Sequence, residues 1–164
     1  MNAKYFKMEK TGNKYPKSLR FRVNLLERII IHFSQYSEYL GATVQGGLKH
    51  VQDPIVEIST SELKFGRLDA AGGVNTKPTV GISLKKNYPQ DFLIIFLPNS
   101  PDEIAVGHIP WATDQVRVLG RFDCNNLSDF DFVGFGGGQS SGQSRPTEWI
   151  VEQSRTAAPV AVFM

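Results

Sequence analysis

Three side chains are of the right types and lie close enough in sequence to attack a phosphodiester: Glu57, Glu62 and Lys64. Glu57 interrupts the apolar run Ile55-Val56-Glu57-Ile58, where an acid must pair with a cation, face solvent on an edge, or bind a metal. Glu62 and Lys64 are two residues apart, so an extended chain puts both on one face. A carboxylate there can hold Mg²⁺. The lysine can polarise the attacking water or stabilise the charge developing at phosphorus. Glu57 and Glu62 are therefore the candidate metal ligands and Lys64 the catalytic partner. The alternative reading of Glu-x-Lys is an ordinary solvated edge strand.

Such residues need a scaffold to position them. Apolar runs at 80–84, 92–97 and 104–109 are bounded by Gly, Pro, Asn or Asp, the pattern of buried strands. The run 92–97 is apolar at successive positions, so both its faces must be covered and it is the core strand. From Ser18 or Asn24 to Leu40, residues Leu26, Ile29, Ile30, Phe33 and Leu40 recur at three- and four-residue steps, with Asn24 as an N-cap and Gly41 as a stop. This predicts a long helix covering one face of the sheet. Short strands are expected at 42–44 and 48–51 around a Gly46-Gly47 turn, and at 55–58, 63–65 and 130–135, while 111–121 reads either as a helix or as a loop with a strand at 116–119. Residues 69–78 read as a loop and 147–154 as a short helix. The element order predicts an α/β (α+β) fold, an N-terminal helix packed on a mixed central sheet. The expected organisation is a basic arm at 1–17, one globular domain at 18–135, a Gly/Ser-rich linker at 136–146 and a C-terminal segment at 147–164.

The net charge of +2 names no partner, but its distribution is uneven. Lys4, Lys7, Lys10, Lys14, Lys17, Arg20, Arg22 and Arg28 face only Glu9 and Glu27 in the first 28 residues, with Tyr5, Phe6, Tyr15 and Phe21 interleaved. Such a segment can neutralise phosphates and stack on bases, or it can be a solvated terminus. Lys14, Lys17, Arg20 and Arg22, with Lys85 and Lys86, are the candidate nucleic-acid contacts. No run approaches a membrane span and the lysine-rich N-terminus lacks a secretory apolar core, so a soluble, unexported, cytoplasmic protein is expected. The single cysteine, Cys124, reads as an ordinary buried or half-buried thiol. His32, His50 and His108 are far apart, and no pair has metal-ligand spacing. His32 reads as a core or boundary residue of the helix and His108 as a hydrogen-bonded residue of a strand. No Gly-x-Ser-x-Gly elbow occurs.

The sequence of blocks resembles the restriction-endonuclease-like fold of the PD-(D/E)XK nuclease superfamily over about residues 24–120. The blocks are the long helix, Val56-Glu57-Ile58-Ser59, the strand from Ile82 through Lys85-Lys86-Asn87, the Asp91-led strand to Leu97, and the return from Ala105 to Trp111. The resemblance implies a Mg²⁺-dependent DNA nuclease, or a degenerate relative that binds DNA. Ser59 stands where the motif strand carries lysine. A motif shifted to Glu62 and Lys64 makes Asp53 or Glu57 the upstream ligand. The alternative function is a non-catalytic interaction or assembly protein, such as a phage or mobile-element accessory protein, whose termini dock onto a protein partner or a second copy.

Overall fold

The computed structural model describes residues 2–10, 15–24, 28–41, 44–69, 74–86, 88–97, 100, 102–110, 113, 115–137, 150–154 and 161–163. They form a two-sheet β-sandwich, with strands β1 (Asn2–Lys7), β2 (Ser18–Asn24), β3 (Arg28–Ser34), β4 (Pro54–Ser59), β5 (Glu62–Leu68), β6 (Val74–Gly81), β7 (Pro89–Phe96), β8 (Glu103–Ile109), β9 (Val116–Asp123), β10 (Phe132–Gly137), β11 (Ile150–Ser154) and β12 (Ala161–Phe163), a short α-helix, α1 (Val44–His50), and a 3-10 turn at Leu127–Asp129. The first sheet has the order β1-β10-β3-β4-β5-β6 and the second β11-β2-β7-β8-β9-β12. All pairs are antiparallel except β12, which runs parallel to β9.

Alternation along the strands builds the interlayer. Leu19, Phe21 and Val23 of β2 and Phe92, Ile94 and Phe96 of β7 meet Ile29, Ile31 and Phe33 of β3 and Val133 and Phe135 of β10 in one buried cluster. Phe21 lies 5.7 Å from Phe92 within its sheet and 4.6 Å from Phe135 of the facing sheet, ring centre to ring centre. Phe65 of β5 stacks on Phe122 of β9 at 4.9 Å across the same gap. Each such side chain contributes about 1.5–3 kcal/mol by leaving water.

The α/β expectation is overturned, because β3 occupies the segment read as the long helix. Ile29-Ile30-Ile31 is a β-branched run that favours extended backbone. Its two faces are both buried, Ile29, Ile31 and Phe33 in the interlayer and Ile30, His32 and Ser34 beneath outer cover, which mimics helical three-and-four spacing. The helix instead forms at Val44–His50, where a strand-turn-strand was expected. Gly46 allows it to seat: a Cβ there would stand 2.2 Å from the Leu40 carbonyl oxygen. The expected core strand at 92–97 is the interior strand β7, covered by the other sheet rather than by a helix. Asn2–Lys7, within the expected arm, pairs along β10. Ile150–Ser154, within the expected C-terminal helix, pairs along β2. Residues 11–14 of the arm and 138–146 of the linker lie outside the described residues.

Cys124 is buried and its thiol is pushed up to about 12 by that burial. It is an inert core group, as its sequence context suggested.

Tyr5, Gly134 and His32 lie in one row across β1, β10 and β3. A Cβ on Gly134 would stand 2.3 Å from the Tyr5 ring, so the absent side chain is what lets that ring lie over the strand. Gly134→Val is expected to destabilise the protein by about 1–3 kcal/mol in urea titration, the usual cost of overpacking, and to free the Tyr5 ring. An unchanged midpoint would show that the ring does not rest on this position.

Candidate functional sites

The outer faces of the two sheets each carry a polar cluster built around a buried carboxylate. On the second sheet, Arg20 and Arg22 lie two apart on β2 and so share a face, with Phe21 between them pointing into the interlayer. Asp91 of β7 stands opposite Arg22 and diagonal to Arg20. Arg22 Nε donates to Asp91 Oδ1 at 2.7 Å, and Arg22 Nη2 to Oδ2 at 3.3 Å. Arg20 Nε donates to Oδ2 at 2.8 Å, and its Nη2 forms an ion pair with the same oxygen at 2.6 Å. The guanidinium side chains stay 40% and 43% exposed while Asp91 is only 8% exposed. Burial alone would raise the Asp91 carboxyl, but the hydrogen bonds and charges of Arg22 and Arg20 outweigh it and hold it below its usual range.

This array lines a surface depression of about 220 Å³, completed by Gln90, Ile109, Pro110 and Thr113. Gln90 is itself fixed. Its amide donates to the Lys85 carbonyl at 2.9 Å, and its oxygen accepts from His108 Nε2 at 2.9 Å. Burial pushes the His108 imidazole down to about 4. The sequence expectation of a hydrogen-bonded His108 in a strand holds.

On the first sheet, Tyr5 Oη meets His32 Nδ1 at 2.6 Å, His32 Nε2 meets Asp53 Oδ2 at 2.8 Å, and His50 Nδ1 meets the same oxygen at 3.1 Å. The Leu40 backbone N–H donates to His50 Nε2 at 2.9 Å. That last bond leaves Nε2 with its lone pair, so the His50 proton sits on Nδ1 and is given to Asp53. With His32 giving its Nε2 proton to Asp53 and accepting from the Tyr5 hydroxyl, every atom in the chain is satisfied with both imidazoles neutral. Asp53 is anchored by the tight turn from His50, its own N–H bonding the His50 carbonyl, with Gln52 in the left-handed region at φ 68°. Tyr39 stacks on His50 at 5.0 Å and packs against Ile30, Ile55 and Leu68, closing the cluster. Burial pushes His32 down to about 3 and lowers His50, whereas it pushes Asp53 up to about 7 against the opposing pull of the His50 hydrogen bond.

The three residues expected to cleave phosphodiesters share a sheet but are otherwise engaged. Glu57 is ion-paired with Arg28 at 2.9 Å, and Lys64 lies opposite Glu57 in register but reaches Glu62 at 3.5 Å. Among the expected nucleic-acid contacts, Arg20 and Arg22 are held by Asp91, Lys17, Lys85 and Lys86 are exposed, and Lys85 lies over the Tyr88 ring at 4.4 Å. Lys14 lies outside the described residues. Sequence reading missed the meeting of His32, His50 and Asp53. The one local signal was the three-residue spacing of His50 and Asp53 before Pro54. It also missed Asp91 as a polar anchor, although the alternate placement of Arg20 and Arg22 pointed to a shared face.

No protein family matches the chain, and no curated protein does. Among solved structures it is similar to chicken galectin 2, at 13% identity over 92% of this chain and all of that one, with a TM-score of 0.51. It is also similar to the CBM40 module of the Ruminococcus gnavus IT-sialidase, solved bound to alpha2,3-sialyllactose, at 7% identity over 87% of this chain and 76% of that one, with a TM-score of 0.48. At these identities the likeness is one of fold, and it places the chain among galectin-like β-sandwiches. The restriction-endonuclease-like resemblance is thereby overturned, and with it the DNA nuclease or nuclease-derived reading. A nuclease core of helices around a mixed sheet has no counterpart in two facing, nearly all-antiparallel sheets. No helix among the described residues is long and apolar enough to cross a membrane.

The neutral histidines fix the sign of the pH response. In the unfolded chain each takes up a proton near pH 6.5, while His32 and His108 hold out to about 3 and 4 when folded. Over that window the unfolded state binds more protons, and stability falls as pH falls. Asp53, raised to about 7, works the other way and loses stability as pH rises from about 4 to 7. One raised carboxyl against three lowered imidazoles leaves a net loss on acidification. In metal-free buffer, urea midpoints should therefore drop from pH 6.5 to pH 4.5. His108→Gln should flatten that limb by about 1.4 kcal/mol per pH unit, one proton's worth. A flat profile would mean the histidines titrate normally.

Proposed function

We propose that this chain is a non-catalytic saccharide-binding β-sandwich whose site is the Arg20–Asp91–Arg22 depression on the second sheet. The observation that carries the reading is the rigid alternation of planar donors and acceptor on one open sheet face. A sugar hydroxyl both donates and accepts, so neighbouring hydroxyls are best held by fixed groups of each kind side by side. Arg20, with five N–H groups, carries more donors than its contacts with Asp91 take up. Of the three hydrogen bonds, Asp91 Oδ1 takes one and Oδ2 two, leaving acceptor capacity on the former. Pro110, above the buried Ile109, offers apolar surface for the C–H face of a ring, and Thr113 adds a hydroxyl. Holding the array costs the ligand little entropy, because the side chains are already ordered by one another.

Titration calorimetry against paired neutral and acidic oligosaccharides tests the reading. Arg20→Ala or Arg22→Ala is expected to weaken binding by about 2 kcal/mol, roughly thirtyfold, as the loss of a charged hydrogen bond does. Absence of any saccharide binding to the wild-type protein at millimolar ligand, or binding indifferent to both arginines, would end it.

A further inference from the structure

The cluster on the other sheet points to a different ligand. Asp53, Asp91 and Glu57 are all buried carboxylates, but Asp91 and Glu57 each have arginine beside them. Asp53 has only His32 and His50, and no lysine or arginine ion pair among the described residues. The Leu40 N–H fixes His50 as a neutral ring, so two uncharged imidazoles face one buried carboxyl group. A buried carboxylate without a countercharge is costly unless a cation completes it.

We infer that His32, His50 and Asp53 form a binding site for a divalent transition metal of the zinc class, held through His32 Nε2, His50 Nδ1 and Asp53 Oδ2. These three ligand atoms lie within 4.8 Å of one another and all three residues are buried. Zinc bonds of about 2.0–2.1 Å set ligand atoms about 3.3 Å apart in a tetrahedron. The observed separations of 2.8 and 3.1 Å from Asp53 Oδ2 need to open by only a few tenths of an ångström. Two imidazoles select zinc, cobalt or nickel over magnesium and calcium, which take oxygen donors. Three protein ligands leave a fourth position on the metal.

Coordination rearranges the protons in a definite way. A metal on His32 Nε2 sends that ring's proton to Nδ1, and Tyr5 Oη turns from donor to acceptor, becoming the group that orients the ligand. A metal on His50 Nδ1 likewise sends its proton to Nε2, where it confronts the Leu40 N–H. Two donors cannot face each other, so metal binding and the Leu40 hydrogen bond exclude one another. The stretch from Tyr39 to Gly41, stacked on His50, must shift when the metal enters.

The test uses the full chain stripped with chelator and then titrated separately with Zn²⁺, Co²⁺ and Mg²⁺. Zn²⁺ should raise Tm in proportion to its excess over Kd while Mg²⁺ leaves it unchanged. Co²⁺ should develop the visible absorption of a low-symmetry nitrogen and oxygen site. The Leu40 amide should exchange with solvent faster in the metal-bound protein than in the stripped one. Asp53→Asn and His50→Gln should each weaken Co²⁺ binding at least about tenfold. Tyr5→Phe, which keeps all three ligands, should cost about tenfold through lost orientation. Should Asp53→Asn fail to fold, His50→Gln and Tyr5→Phe carry the same comparison. No Tm shift and no cobalt spectrum in the wild type, or a metal affinity the same in all variants, would overturn the assignment and leave the cluster as a hydrogen-bonded clamp.

Discussion

The fold rests on the contact between the two sheets, where Phe21 meets Phe92 and Phe135 and Phe65 meets Phe122. Neither sheet has another place to bury that many aromatic and β-branched side chains, so neither is stable without the other. Everything polar in the molecule is arranged around this layer. Strands that point Phe21, Ile31 or Phe92 inward must point Arg20, His32 or Asp91 outward, and both clusters of interest are products of that alternation.

The two outer faces solve the same electrostatic problem in opposite ways. Asp91 is neutralised by cations whose heads stay in water, so its environment is polar, charged and open. Asp53 is surrounded by rings: His32, His50 and Tyr39 bring nitrogen atoms and aromatic surface but no full positive charge. The first arrangement suits a soluble ligand rich in hydroxyls. The second suits a small ion that brings its own charge. Their placement on separate sheets lets each be altered without touching the other.

Much of the scaffold was legible in the sequence. Strands β4, β5, β7 and β8 came through as short apolar runs ended by turn formers, because such runs fit little else, and β9 as one of two readings of its segment. β3 did not, since burial on both sides erases the period of two that separates a strand from a helix, and Ile30 and Phe33 then fall at helical spacing. The glycine pair in α1 misled for a related reason. Gly46 serves a close backbone approach to Leu40 rather than a turn, and only the tertiary contact reveals it. The clusters were the least legible. His32 and His50 belong to elements that neither pattern described correctly, and Asp91 was seen only as the head of an apolar strand. Glu57 was visible as a buried acid, but its answer lay in Arg28, on a strand read as helix.

The last described strands, β11 and β12, lie at opposite ends of the second sheet, one along β2 and the other along β9. Two short segments near the end of the chain thus supply both edge strands of that sheet. Exposed borders offer rows of unpaired amides and carbonyls to any extended chain nearby. Without this segment, β2 and β9 would both become templates for association, on opposite flanks of one molecule. β11 and β12 still leave edges, but edges of five and three residues in place of seven and eight, and short edges are poorer templates.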